Sequence, residues 1–214
     1  MRLACLHTAE SNVGVFERAA VALGTADVTL DHVVREDLLA AAEAAGRLTD
    51  DIEAATVSVL ESLVATADGV LLTCSTLGPA TARWSDRSGP PVLRVDRALA
   101  EQATAAGGKV AVLCAVETTG EPTRQLFQQA ARGMGAEVTV LLVDGAWELF
   151  KRGDVEAYHR SVAAAASEAL RAGADVVALA QASMSGAESL CENGTVLASP
   201  TAGLAALIRA VHPE

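Results

Sequence analysis

The chain has 214 residues, of which 51% are hydrophobic and only 3% aromatic, and it carries a formal net charge of −11. That length and apolar content suit one domain or two small lobes with a buried core, and they exclude a disordered chain. The acidic balance, with no Lys/Arg cluster, excludes the basic footprint that nucleic acid or an anionic membrane requires.

Apolar residues that are mainly Ala, Val and Leu fit helices packed on parallel sheets better than an aromatic-rich sandwich. No apolar run reaches the ~18 residues that span a bilayer, and Met1–His7 is too short for a secretory signal, so the expected location is cytoplasmic. The cysteines Cys5, Cys74, Cys114 and Cys191 show neither CxxC nor Cys/His ligand spacing, so no metal site and no disulfide frame is expected.

Arg2–Leu6 reads as a short strand running into the polar loop His7-Thr8-Ala9-Glu10-Ser11-Asn12, ahead of a helical pattern over Val13–Leu23. Val28-Thr29-Leu30 reads as a second strand. Asp50 and Glu53 resemble a capping box opening a helix over Asp51–Ala65. That helix feeds the strand of Ala67-Asp68-Gly69-Val70-Leu71-Leu72, which empties into Thr73-Cys74-Ser75-Thr76-Leu77-Gly78. Pro91-Val92-Leu93 is a fourth strand, followed by a helix over Arg97–Ala106.

The pattern then repeats 107 residues later. Lys109–Leu113 leads into Cys114-Ala115-Val116-Glu117-Thr118-Thr119, which pairs Glu10 with Glu117 and Ser11 with Thr118. Glu121-Pro122 opens a helix over Thr123–Arg132, proline being tolerated in a first turn. Val138–Leu142 is the next strand, and a helix from about Asp154 to Ala172 feeds Asp175-Val176-Val177-Ala178-Leu179-Ala180-Gln181-Ala182-Ser183. Asp68 thus matches Asp175, Thr76 matches Ser183, and Cys74 matches Gln181. Thr195-Val196-Leu197 precedes a last helix over Thr201–Val211.

Each half reads β-α-β-α-β-α-β-α. The expected fold is therefore α/β, with two pseudo-symmetric lobes from an internal duplication, each a mostly four-stranded parallel sheet flanked by helices. Residues 1–97 form the first lobe, with the C-terminal helix 201–212 packing back on it, and residues 98–200 form the second. Ligands of such sheets bind beyond the carboxyl ends of the strands, where all four polar clusters fall, so the clusters are expected to converge on one cleft.

Cys74 sits where a strand turns toward a helix, so neighbouring N–H groups should favour its thiolate, and it is the candidate nucleophile or base. Cys5 and Cys114 read as core thiols. Ser11, Asn12, Ser75, Thr76, Thr118, Thr119 and Ser183 are short donors at βα turns, suited either to helix capping or to binding a carboxylate. His7 reads as a satisfied loop histidine, and His32, His159 and His212 as surface residues. Glu10 and Glu117 would repel an anionic ligand and are expected to cap or hinge.

On the strand-end motif Thr73-Cys74-Ser75-Thr76, its partner Leu179-Ala180-Gln181-Ala182-Ser183-Met184 and the late Ala198-Ser199-Pro200, the chain resembles the aspartate/glutamate/hydantoin racemase superfamily over almost its whole length. The resemblance implies a cofactor-independent enzyme in which two cysteines flank a small carboxylate substrate, one removing an α-proton and the other delivering one. It also implies a homo-oligomer. Carried over, Cys74 is the first-lobe cysteine, with Ser75 and Thr76 as carboxylate contacts. Gln181 holds the second cysteine's place.

An amide side chain exchanges no proton near neutral pH, whereas a two-base racemase needs a base on each face. A racemase-like enzyme using the Cys74 thiolate, with Gln181 as a carboxylate or oxyanion donor, is the reading adopted. A one-base isomerase or decarboxylase of a small dicarboxylate, or a non-catalytic carboxylate-binding protein, is the alternative.

Overall fold

The structure is a computed structural model that describes residues 1–25, 27–84 and 88–212. β1 (Arg2–His7) is buried from Leu3 to its end at His7, its apolar run Leu3–Leu6 suiting an interior strand of a parallel sheet. It pairs in parallel with β2 (Thr29–Val34) on one side and β3 (Gly69–Leu72) on the other, and β4 (Val92–Arg94) adds to β3. The sheet order is β2-β1-β3-β4. β5 (Gly108–Cys114), β6 (Ala136–Leu142), β7 (Val176–Leu179) and β8 (Thr195–Ala198) build a second parallel sheet in the order β6-β5-β7-β8.

The two sheets share register as well as order. Leu3 pairs with Gly69, and Val110 with Val176, so the 107-residue spacing read from the sequence is also a spacing of paired positions. The matched aspartates do the same work in both. Asp68 Oδ2 accepts the Arg2 N–H at 2.7 Å and Asp175 Oδ2 accepts the Lys109 N–H at 2.8 Å, each fastening the entry of one strand to the next. Gly108 has φ +79°, and a Cβ there would stand 2.6 Å from Asp175 Oδ2, so this strand entry excludes a side chain.

The helices are α1 (Ser11–Ala22), α2 (Glu36–Ala45), α3 (Asp50–Val64), α4 (Asp96–Thr104), α5 (Gly120–Ala130), α6 (Ala146–Lys151), α7 (Val155–Arg171) and α8 (Ser199–Val211). Three 3-10 segments, Gly78–Trp84, Glu117–Thr119 and Ala182–Leu190, follow β3, β5 and β7. Helices cover both faces of the second sheet: Tyr158, Val162 and Ala166 of α7 pack with Leu113, Val177 and Leu179, while Leu99 of α4 and Phe127 of α5 pack with Val110, Val112 and Ala178.

α2 and α6 were not expected from the sequence. α2 follows an N-cap, Arg35, that makes no side-chain cap bond, and α6 has only six residues, fewer than two turns of periodicity. The expected capping box is also displaced. Thr49 is the N-cap of α3, its carbonyl accepting the Glu53 N–H at 2.8 Å, so Asp50 and Glu53 lie inside the first turn, where their charge suits the helix dipole. Glu10 makes no side-chain cap bond to α1, which removes the capping role expected of it, and Glu117 opens a 3-10 turn; both are exposed.

The chain divides into two compact units, Met1–Asp96 with Pro200–Glu214, and Arg97–Ser199. α8 therefore belongs with the first sheet. A Cβ on Gly69 would come within 2.7 Å of Val211 Cγ2, and one on Gly203 within 2.8 Å of the Val95 carbonyl oxygen. Backbone cannot yield as a side chain can, so Gly203→Ala should destabilise the first unit by ~1–3 kcal/mol, the usual cost of overpacking. Urea unfolding followed by circular dichroism measures this, and an unchanged midpoint would refute the close packing of α8. No described helix is long and apolar enough to cross a membrane.

Candidate functional site

In a parallel sheet of order 2-1-3-4 the chain leaves β1 and β3 toward opposite faces, and the crevice between their carboxyl ends is the ligand position. In the first unit that crevice is lined by the turn after β1, with Thr8, and the first residues of α1, Ser11 and Asn12, and by the loop after β3, with Cys74, Ser75 and Thr76. The two loops meet at the thiol. Cys74 is nearly buried, at 8% exposure, and burial pushes its thiol above the ordinary value. The Thr8 side chain and the backbone at Leu77 and Thr76 hydrogen-bond to the sulfur and oppose that push, while the charge of Asp96 adds to it. The sequence therefore indicated the helpful N–H groups correctly, and missed that desolvation outweighs them.

Two charged residues close to Cys74 escaped the sequence reading. Arg94, at the end of β4, makes a two-pronged ion pair with Asp96, Nε to Oδ1 at 2.7 Å and Nη2 to Oδ2 at 2.8 Å. Asp96 is fully buried and the Arg94 side chain is 13% exposed. Burial lowers the guanidinium, but the Asp96 charge and hydrogen bonds, with the Cys74 thiolate behind them, hold it above its ordinary value. The guanidinium lies over Gly78, where a Cβ would meet its Cζ at 2.6 Å. The spacing Arg94-Val95-Asp96 at a strand end was the available signal.

Asn12 is 6% exposed, and its Oδ1 is one of three buried side-chain polar atoms among the described residues that have no hydrogen-bond partner. An acceptor so placed suits a ligand N–H or O–H. Ser11 beside it is exposed, while Ser75 and Thr76 are 4% and 1% exposed.

The second unit places Gln181 where the first has Cys74. Its Oε1 accepts two backbone N–H groups at the end of β5, from Ala115 at 2.5 Å and Val116 at 3.1 Å. Those two donors fix which end of the amide is oxygen, so the Nε2 end is the one left to donate. Ala115 is the counterpart of Thr8, and the same two loops meet in each unit. Thr119 is buried and Thr118 partly so, both in the 3-10 turn just beyond. Ser183 is drawn toward α7 instead: its Oγ pairs with Tyr158 Oη at 2.9 Å, and its carbonyl accepts from His159 Nε2 at 2.9 Å. Tyr158 is fully buried, and burial holds its phenol above the ordinary value.

The histidines differ from expectation. His7 is the last residue of β1, not part of a loop, and is fully buried. Burial first, and then the charge of His32, pull its imidazole down to about 3. His32 and His159 are partly buried and hydrogen-bonded because β2 and α7 turn them inward; His212 is exposed as expected.

Two parallel four-stranded α/β units, each with polar residues gathered at the same pair of strand ends, define a small-molecule-binding architecture of the racemase type. The chain belongs to the Asp/Glu/Hydantoin racemase family, whose model matches residues 40–207. Among solved structures, the aspartate racemase of Picrophilus torridus is 15% identical with a TM-score of 0.76, the match covering 98% of this chain and 94% of that one. The allantoin racemase of Pseudomonas fluorescens is 16% identical with a TM-score of 0.69, over 99% and 91% of the two chains. The glutamate racemase of Aquifex pyrophilus is 14% identical with a TM-score of 0.63, over 98% and 84%. At these identities the likeness establishes the fold. No curated protein matches the sequence.

Proposed function

We propose that the chain is a racemase-type enzyme that works without an organic cofactor on a small carboxylate of the amino-acid or hydantoin class, with the Cys74 thiolate as its acid–base group. The observation that carries this reading is the seat of Cys74, a thiol at the end of β3 with the Thr8 side chain and the Thr76 and Leu77 backbone directed at its sulfur. Those groups are what a thiolate needs when it is generated in a buried crevice. Ser75, Thr76, Ser11, Thr118 and Thr119 serve the substrate carboxylate, and Asn12 Oδ1 accepts from its ammonium or ring N–H. Ser183 serves through its pairing with Tyr158.

In the forward step the S⁻ of Cys74 takes the α-proton, the C–H electron pair passes into the carboxylate or carbonyl system, and the thiol returns the proton to carbon. Gln181 neither takes nor gives a proton at neutral pH, so the return is to the same face, and inversion is slow. Its Nε2 steadies the negative charge that develops on the substrate oxygen.

The second reading, a carboxylate-binding protein without chemistry, draws on the raised Cys74 thiol and on the engagement of Gln181 Oε1 with Ala115 and Val116. Hydrogen exchange separates the two. In deuterated buffer the wild type should wash deuterium into the α-position of an accepted substrate with retention of configuration, and Cys74→Ser should slow this by ~10²–10⁴-fold. Because the thiol is held above its ordinary value, the rate should still be climbing with pH above neutrality. Ligand binding without exchange in the folded wild type would establish the second reading.

A further inference from the structure

A cluster beside the strand-end crevice, built on the same β1 and touching Thr73, also has the chemistry of a site. Cys5 and His7 point to the same face of β1, being two residues apart, and Cys5 is the register partner of His32 on β2. α1 covers that face, with Phe16 tilted against the His7 ring at a centroid distance of 5.3 Å and Glu17 next to it. One ligand atom from each of Cys5, His7 and His32 lies within 4.8 Å of the others. His7 Nε2 and His32 Nδ1 face each other at 2.8 Å, while the two outer nitrogens are engaged elsewhere: His7 Nδ1 with Thr73 Oγ1 at 2.8 Å, and His32 Nε2 with Glu17 Oε1 at 3.0 Å. The Thr73 hydroxyl can donate to the Leu6 carbonyl at 3.0 Å, which leaves it free to accept the His7 Nδ1–H.

We propose that Cys5, His7 and His32 form a binding site for a thiophilic divalent cation of the Zn²⁺ class, with Thr73 and Glu17 as the outer partners that orient the two imidazoles. Three features carry it. The inner nitrogens and the sulfur converge from residues that the sheet fixes in place. Each outer nitrogen has an oxygen partner, as ligating histidines regularly do, so that with a metal bound each outer N–H donates and each inner lone pair is presented to the centre. The charge also balances, because a Cys5 thiolate and the Glu17 carboxylate neutralise two positive charges. Bonds of ~2.0–2.1 Å to nitrogen and ~2.3 Å to sulfur require the facing nitrogens to open by about half an ångström toward tetrahedral spacing. Softer thiolate and imidazole donors favour Zn²⁺ over Mg²⁺ or Ca²⁺. Binding replaces the Cys5 S–H proton with the metal and releases that proton to solvent.

His32 and Glu17 form the entry side, their side chains 12% and 56% exposed, whereas Cys5 and His7 are fully buried. This position lies in the interior of the first unit, with His7 and Thr73 next in the chain to Thr8 and Cys74. The test is titration of metal-stripped full-length protein with Zn²⁺ and, as a spectroscopic stand-in, Co²⁺. Expected are one equivalent bound, a higher urea midpoint with Zn²⁺, and a thiolate-to-cobalt charge-transfer band. The band should disappear in Cys5→Ser and persist in Cys191→Ser. Glu17→Gln, a change at a largely exposed side chain that leaves the fold intact, should bind ~10–100-fold more weakly. A folded wild type that binds no equivalent of either metal would overturn the site. A band that survives Cys5→Ser, or unaltered affinity in Glu17→Gln, would overturn it equally.

Discussion

Gln181→Cys should raise racemisation of a suitable amino acid or α-substituted acid by ~10²–10⁴-fold, the range for a positioned acid–base group. The substitution does more than supply a thiol. It withdraws Oε1 from the Ala115 and Val116 N–H groups, which then point at position 181 much as Thr8, Thr76 and Leu77 point at Cys74. Two N–H donors are what lower the cost of a buried thiolate. Losing their bonds to the amide costs stability on the scale of ~0.5–1.5 kcal/mol each, so the variant should still fold. Chiral chromatography of single-enantiomer substrates, incubated with wild type, Gln181→Cys and Gln181→Cys/Cys74→Ser, gives the answer. The gain should vanish in the double variant. Rapid racemisation by the wild type would refute the one-base reading.

The second large effect belongs to the ion pair beside the thiol. Asp96→Ala leaves the Arg94 guanidinium, 13% exposed and laid over Gly78, without its counter-charge, and breaking a buried pair in this way costs ~3–5 kcal/mol. Urea unfolding of the first unit should show that loss. Arg94→Leu/Asp96→Leu, which removes both charges, should recover most of it, because the cost lies in the stranded charge rather than in the missing bond. The same change removes a negative charge that helps hold the Cys74 thiol up. Cys74 in Asp96→Ala should therefore react faster with iodoacetamide near neutral pH than in the wild type, when assayed in conditions where both are folded. An Asp96→Ala protein as stable as the wild type would mean that Arg94 finds solvent or another partner.

Much of this was legible in the sequence, because it rests on local order. Period and run length are properties of consecutive residues, so the eight strands, the parallel α/β class and the 107-residue correspondence could be read directly, and the correspondence holds in the pairing of Leu3 with Gly69 and Val110 with Val176. Asp68 and Asp175 could be matched by spacing, although their shared task of binding the Arg2 and Lys109 N–H groups could not. Cys74 was marked by its hydroxyl neighbours and its position after an apolar run.

What tertiary structure alone decided involves residues brought together from distant parts of the chain. Cys5, His7 and His32 share a face only because β2 pairs with β1 in one particular register; spacing along the chain gives no Cys/His motif. Arg94 and Asp96 reach Cys74 because β4 lies beside β3, and the state of that thiol depends on a balance between desolvation and hydrogen bonding that sequence does not contain. The direction of the Gln181 amide was decided the same way, since a carboxamide can present either end and only the two N–H groups at Ala115 and Val116 determine which one.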